Sequence, residues 1–189
     1  HSQSNSKPAI LAYQGDIYKE LDLSEYNKTQ QKYLQASLRI VTGFYGILKP
    51  YDLMQAYRLE MKTKLATNQS DNLYEFWGNK LTQGLINDAK KSGHQYLINL
   101  ASNEYAKAIN FKLIEAEDTV EIIQVEFRQR KQGELKNYGI YAKKARGKVI
   151  DFMVKNKVAS LNELKQFNYD GYELHDYKEK EITFVKDIN

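Results

Sequence analysis

Apolar residues in this chain fall into short runs and longer helical stripes, separated by polar or glycine-containing breaks. The run 9–13 reads as a strand that stops at the Gly15-Asp16 turn signal. Ser24 is placed to cap a helix through Tyr33. Residues 38–42 read as a buried strand, because Ile40 and Val41 are adjacent and β-branched. Gly43-Phe44-Tyr45-Gly46 follows as a loop, and Lys49-Pro50 opens a second connection. In 72–91 the residues Leu73, Phe76, Trp77, Leu81, Leu85 and Ile86 recur at the helical period, with Asp71 as cap and Gly93 as stop. That spacing puts Trp77 on the core side. A third apolar run, 96–100, precedes a short helix through Lys107 that Ser102 would cap. Short apolar strands separated by helices predict βαβ connections and a partly parallel sheet.

The second half changes character. Val120, Ile122, Ile123 and Val125 lie in a β-rich stretch, 119–127, and Gln132-Gly133 is a turn from which 135–141 returns as a strand. Residues 142–157 predict a helix with an apolar stripe of Ala142, Ala145, Val149, Phe152 and Met153. Ser160 and Glu163 have capping-box spacing. Residues 172–177 and 182–186 read as two edge strands. The pattern is an α+β fold with a mixed sheet and helices, without internal repeats, arranged as a single domain over 9–189. His1-Ser2 reads as the remnant of an affinity tag, and 1–8 as a disordered lead-in.

Size and composition narrow the classes. A chain of 189 residues and 22.0 kDa, 42% hydrophobic and 28% charged, has material for a real core. No apolar run approaches the length of a membrane span, and the first residues lack the apolar centre of a signal peptide. A cytoplasmic protein without a membrane partner is the expectation. Cysteine is absent, which excludes disulfides, thiolate nucleophiles and thiol redox sensing within the chain.

Charge adds a polarity that the net +4 hides. Residues 128–148 hold Arg128, Arg130, Lys131, Lys136, Lys143, Lys144, Arg146 and Lys148 against a single acid, Glu134, a net +7. The remaining 20 basic and 23 acidic residues leave −3 elsewhere. Such a segment points to a polyanion partner, a solvated hairpin being the plain alternative. Lys144, Lys148 and Lys155 fall on one helix edge beside the apolar stripe, and Lys143 and Arg146 project from what read as the first turns. Lysine and arginine there suit phosphate, whether of duplex DNA bound without regard to sequence or of a phosphorylated small ligand.

Other chemistry is sparse. His1, His94 and His175 belong to no metal-ligand or triad spacing, and no P-loop, GxGxxG or GxSxG string occurs. No metal site and no cofactor are predicted. Polar residues do gather at predicted strand ends: Asp16, Thr42, Asn99, Ser102 and Glu104, with Arg58 in Tyr57-Arg58-Leu59-Glu60. In a parallel sheet such ends converge on a ligand-binding edge. These residues are therefore cleft candidates, their plain reading being turn and capping duty.

Several strings in order carry a resemblance. They are Gly15-Asp16-Ile17-Tyr18, Leu38-Arg39-Ile40-Val41-Thr42-Gly43-Phe44-Tyr45-Gly46-Ile47-Leu48-Lys49-Pro50, Tyr57-Arg58-Leu59-Glu60-Met61, Leu73-Tyr74-Glu75-Phe76-Trp77-Gly78 and Ile98-Asn99-Leu100-Ala101-Ser102-Asn103-Glu104-Tyr105. With 141–147 and Gly171-Tyr172, this set resembles the YaaA family of bacterial peroxide stress proteins from about Ala9 onward. The resemblance implies a cytoplasmic bacterial protein that binds DNA and limits damage from peroxide and intracellular iron. It also implies a cantaloupe-like α+β fold with a helix-hairpin-helix element, for which 43–46 is the candidate. Members carry an apolar strand and a Ser-Pro-Ala-Lys-like loop upstream of Ala9, so the resemblance implies that the N-terminal part of the fold is missing here. Lys49 stands where the family has Arg, and Asn103 where it has Asp.

Two classes of function remain. One is a non-enzymatic DNA-binding stress protein acting through Arg128, Arg130, Lys143, Lys144, Arg146 and Lys148. The other is an enzyme or small-ligand binder whose polar, phosphate-accepting cleft uses Asp16, Arg58, Asn99, Ser102 and Glu104 with Lys143, Lys144 and Arg146.

Overall fold

The computed structural model describes residues 3–68 and 70–188. His1-Ser2, the expected tag remnant, lies outside them. A 3-10 turn at Gln3–Asn5 leads to β1 (Lys7–Pro8), α1 (Ala9–Ala12), α2 (Asp16–Lys19) and α3 (Lys28–Ser37). Then come β2 (Ile40–Thr42), β3 (Gly46–Leu48), β4 (Leu53–Met54), α4 (Leu73–Trp77) and α5 (Lys80–Ser92). β5 (Tyr96–Asn99), α6 (Asn103–Ala106) and α7 (Phe111–Ala116) complete the first two thirds of the chain. The rest is β6 (Glu121–Lys131), β7 (Glu134–Lys136), α8 (Gly139–Asn156), α9 (Leu161–Leu164), β8 (Tyr172–Lys178) and β9 (Glu181–Asp187).

These elements divide into two compact units. The first comprises His1–Ala12 and Leu38–Ile122, the second Tyr13–Ser37 and Ile123–Asn189.

The first unit is held by Met61, Leu73, Leu81, Leu85, Ile86, Ile109, Ile114 and Ile122, all buried, with Trp77 half-buried against them. Phe76, expected in that stripe, is instead 38% exposed. The reason is a break at Gly78, whose φ of +47° ends α4 and restarts the helix at Lys80. Gly93 stops α5 in the left-handed conformation, as its position predicts. Of the run 9–13, residues 9–12 form a helical turn rather than a strand. Its first amides donate to the Asp52 and Pro50 carbonyls (2.9 Å each), distant bonds that so short an apolar run cannot announce. Lys7–Pro8, read as lead-in, pairs antiparallel with Leu53–Met54. The segment 43–46 is the tight turn of an antiparallel β2–β3 hairpin, so it is neither a βαβ connection nor the hairpin of a helix-hairpin-helix.

β6 begins in the first unit, where the Glu121 N–H donates to the Gln95 carbonyl (2.9 Å), and runs on into the second. In the second unit it pairs parallel with β9 and antiparallel with β7, and β9 pairs antiparallel with β8. The sheet is mixed and five-stranded, in the order β5-β6-β9-β8, with β7 paired to β6 off that path. The tail was expected to give two edge strands, but β9 is interior, flanked on both sides. Gln132-Gly133 makes the predicted turn, both residues at positive φ, and Ser160 with Glu163 forms the predicted capping box. The returning strand stops at Lys136, and α8 starts at Gly139, three residues earlier than its apolar stripe suggests. The core is aromatic: Phe184 stacks on Phe127 (5.9 Å between centroids) and meets Phe167 edge-on (5.0 Å). Buried Gln129 ties the unit together. It accepts from the Tyr138 N–H at the head of α8 (2.8 Å) and donates to the Tyr172 hydroxyl (2.6 Å). α3 is capped by Asn27, whose Oδ1 accepts from Thr29 and Gln30, not by Ser24.

Buried phenols make the fold alkali-sensitive. Burial pushes Tyr33, Tyr105 and Tyr172 up to about 12, and burial beside Asp151 pushes Tyr26 higher still. These groups ionise earlier in the unfolded chain, near 10, so they leave stability intact below pH 10 and remove it as pH rises from 10 through 12. Absorbance at 295 nm is expected to show the exposed phenols titrating first and the buried ones only with unfolding. All fifteen tyrosines ionising in one step near pH 10, with the fold retained, would contradict this placement.

Candidate functional site

The basic segment is built on two elements of the second unit, β6 and α8. Strand alternation in β6 turns Phe127 and Gln129 inward and leaves Arg128 exposed. Arg130 pairs with Asp187 (3.0 Å), and Lys136 with Glu134 (2.6 Å). On α8 the small residues Ala142, Ala145 and Gly147 are buried, which sets Lys143 and Lys144 outward and exposed. Among the described residues neither lysine has an ion pair or hydrogen bond.

Lys148 is placed differently. Its ammonium lies 2.8 Å from the Glu20 carboxylate and 5.0 Å from the Tyr169 ring centre, and the Glu20 bond holds its pKa above the usual lysine value. Lys155 is bound to Asp151 (3.0 Å) and faces Asp22 (3.7 Å). Asp151 itself is buried and also accepts from the Tyr26 hydroxyl (2.7 Å) and the Asp22 N–H (3.2 Å). The lysine edge inferred from helical spacing therefore splits: Lys148 and Lys155 fasten the segment after α2 to α8, and Lys144 is left to solvent. Arg146 is not in the first turns of its helix, because α8 begins at Gly139. Among the described residues its Nε is buried without a partner, and burial lowers its pKa against the opposing pull of Glu126.

The cleft candidates are shared between the units: Asp16 belongs to the second, Arg58, Asn99, Ser102 and Glu104 to the first. Asp16 opens α2 and faces Lys19 (3.7 Å). Thr42, also at a predicted strand end, is buried and accepts from the Tyr45 N–H (2.8 Å). Asn99 accepts from the Ala101 N–H (3.1 Å), and Ser102 precedes α6 as its N-cap without a side-chain bond. Glu104 accepts from the Lys62 N–H (3.1 Å) and stands 3.6 Å from its ammonium, which Glu60 also approaches (3.3 Å). Glu60 first, then Glu104, raises the Lys62 pKa. Arg58 is exposed. Sequence reasoning missed Glu20, Asp151 and Gln129. Asp151 carried the one legible signal, a carboxylate in the midst of a helix with an apolar stripe.

Among the described residues no group of three His, Asp or Glu side chains is placed to hold a metal ion, and no helix is long and apolar enough to cross a membrane.

A family model described as peroxide stress protein YaaA matches residues 1–178, so the match includes the first residues read as a tag remnant. A UPF0246 protein of Pseudoalteromonas translucida is 46% identical over 186 residues, covering 97% of this chain and 70% of that protein. One from Aliivibrio fischeri is 41% identical over 184 residues, with the same coverage of each. One from Clostridium perfringens is 40% identical over 181 residues, covering 96% of this chain and 70% of that protein. On these matches and the ordered motifs above, the chain belongs to the YaaA family of peroxide stress proteins.

Proposed function

We propose that this chain serves the peroxide stress response in the cytoplasm by binding duplex DNA without sequence preference, and so limits damage from peroxide and iron. The observation that carries the reading is the pair Lys143 and Lys144, exposed and unpaired among the described residues on a helix whose other face is fixed in the core. Free lysines on a rigid element give up little when they meet phosphates, because no ion pair has to be broken. Arg128 and Lys131 extend the set on β6. The exposed pairs of Arg130 and Lys136 are weak enough to be exchanged for phosphate. Lys148 is not, since Glu20 and Tyr169 already hold it in a partly buried setting. Thiol turnover of peroxide is not open to a chain without cysteine.

The test is the affinity of the full chain and of Lys143→Ala/Lys144→Ala for two duplexes of unrelated sequence. The double variant is expected to fold normally and to bind both duplexes more weakly by the same factor, since phosphate contacts carry no sequence information. Unchanged affinity would remove the segment from the function and put the polar group around Glu104 and Lys62 ahead as a ligand site.

A further inference from the structure

The turn between β2 and β3 displays Phe44 to solvent at 52% exposure, stacked on Tyr57 with centroids 5.4 Å apart and rings inclined by 30°. An exposed phenylalanine needs no explanation by itself. The fixing of this one does. Buried Thr42 accepts from the Tyr45 N–H (2.8 Å). The Trp77 indole N–H donates to the Gly43 carbonyl (3.0 Å). The Tyr45 hydroxyl accepts from the Gln55 N–H (3.0 Å) and donates to the Gln55 carbonyl (3.4 Å), which holds Tyr45 edge-on to both Phe44 and Tyr57.

Both glycines of the turn are required as well. A Cβ on Gly43 would lie 2.7 Å from the Leu59 carbonyl oxygen, and Gly46 has φ +76° with Trp77 2.9 Å from its missing Cβ. A hairpin turn needs none of this merely to connect two strands. Arg58, which follows Tyr57 in the sequence, is exposed and without an ion pair or hydrogen bond among the described residues.

We propose that Phe44 and Tyr57 form a preformed platform for one unpaired base of a nucleic-acid strand, with Arg58 taking the adjacent phosphate. The inference rests on the nucleic-acid reading above for its ligand class but on different residues, in the other unit. A flat aromatic face held in place stacks any base without the entropy of ordering a mobile side chain, and a neighbouring guanidinium supplies the anion contact.

The experiment titrates a short oligothymidylate carrying one 2-aminopurine into the full chain. The parent is expected to bind it and quench the 2-aminopurine. Phe44→Ala should weaken binding about tenfold and abolish the quench, Phe44→Leu should behave like Phe44→Ala, and Phe44→Trp should restore both. Arg58→Ala should reduce the salt slope by about 0.7. Trp77 emission and circular dichroism check that each variant is folded. Equal binding by parent and Phe44→Ala, or no binding by the parent, overturns the platform. So does thymidine monophosphate binding as tightly as the strand, which would make the turn a nucleotide pocket. Duplex affinity that falls in Lys143→Ala/Lys144→Ala, together with oligothymidylate binding that Phe44→Ala leaves unchanged, overturns this inference and leaves the function above standing. Oligothymidylate binding lost in Phe44→Ala, together with duplex affinity unchanged in Lys143→Ala/Lys144→Ala, overturns that function and keeps the platform.

Discussion

Phe184→Ala is expected to destabilise the chain by about 3–5 kcal/mol. Phe184 is fully buried, stacks on Phe127 and meets Phe167 edge-on, and sits on β9, which has a hydrogen-bonded neighbour on each side. Truncation removes the transfer energy of a whole ring and leaves a cavity. Interior strands cannot move to fill it without breaking two ladders, so relaxation recovers little. The loss should appear as a fall of roughly 10 °C in the melting temperature. Phe184→Leu keeps part of the volume and should cost less. A change below about 1 kcal/mol for Phe184→Ala would mean that this strand is not the centre of the unit.

The second large effect has a sign opposite to the usual rule. Replacing a mid-helix glycine by alanine ordinarily stabilises by about 1 kcal/mol. Gly147→Ala should instead destabilise by about 2 kcal/mol or more, because the new Cβ would clash with the Ile17 carbonyl oxygen and lie 2.7 Å from the Glu20 Cβ. Both neighbours belong to α2 and its C-cap, so relief requires α2 to lift from α8 and carries Glu20 away from Lys148. Gly84→Ala on α5 is the matched control: its Cβ would make only an ordinary contact, 3.6 Å from Ile47, and stabilisation is expected. Urea unfolding of both variants measures the pair of signs. Two stabilised variants would contradict the close seating of α2 on Gly147.

Much of the second unit was legible because its signals are local. Ala142, Ala145 and Val149 of the α8 stripe, the Gln132-Gly133 turn and the Ser160–Glu163 box are signals within a few residues, and each is present in the fold, whereas Phe152 and Met153 of that stripe are only half-buried. The misses have the opposite character. Ala-Ile-Leu-Ala is too short to show a period, so its helical turn, fixed by the distant Pro50 and Asp52 carbonyls, was read as a strand. β9 looked like an edge because nothing local reveals that Glu121–Lys131 runs parallel beside it. The same limit governed the site. The +7 of 128–148 is plain, but which cations are available depends on Glu20 and Asp187, both far away in sequence. Folding removed Lys148 and the buried Nε of Arg146 from the exposed set and left Lys143 and Lys144.

That selection is the centre of the functional account, and the salt dependence of duplex binding tests it most directly. Each phosphate contact contributes about −0.9 to the slope of log affinity against log salt, so losing two should flatten the slope by about 1.8. Measured on the full chain at several salt concentrations, Lys143→Ala/Lys144→Ala should show that flattening, and Lys148→Ala, which removes a cation already neutralised by Glu20, should leave the slope unchanged. A slope that flattens in Lys148→Ala and stays put in the double variant would contradict the account.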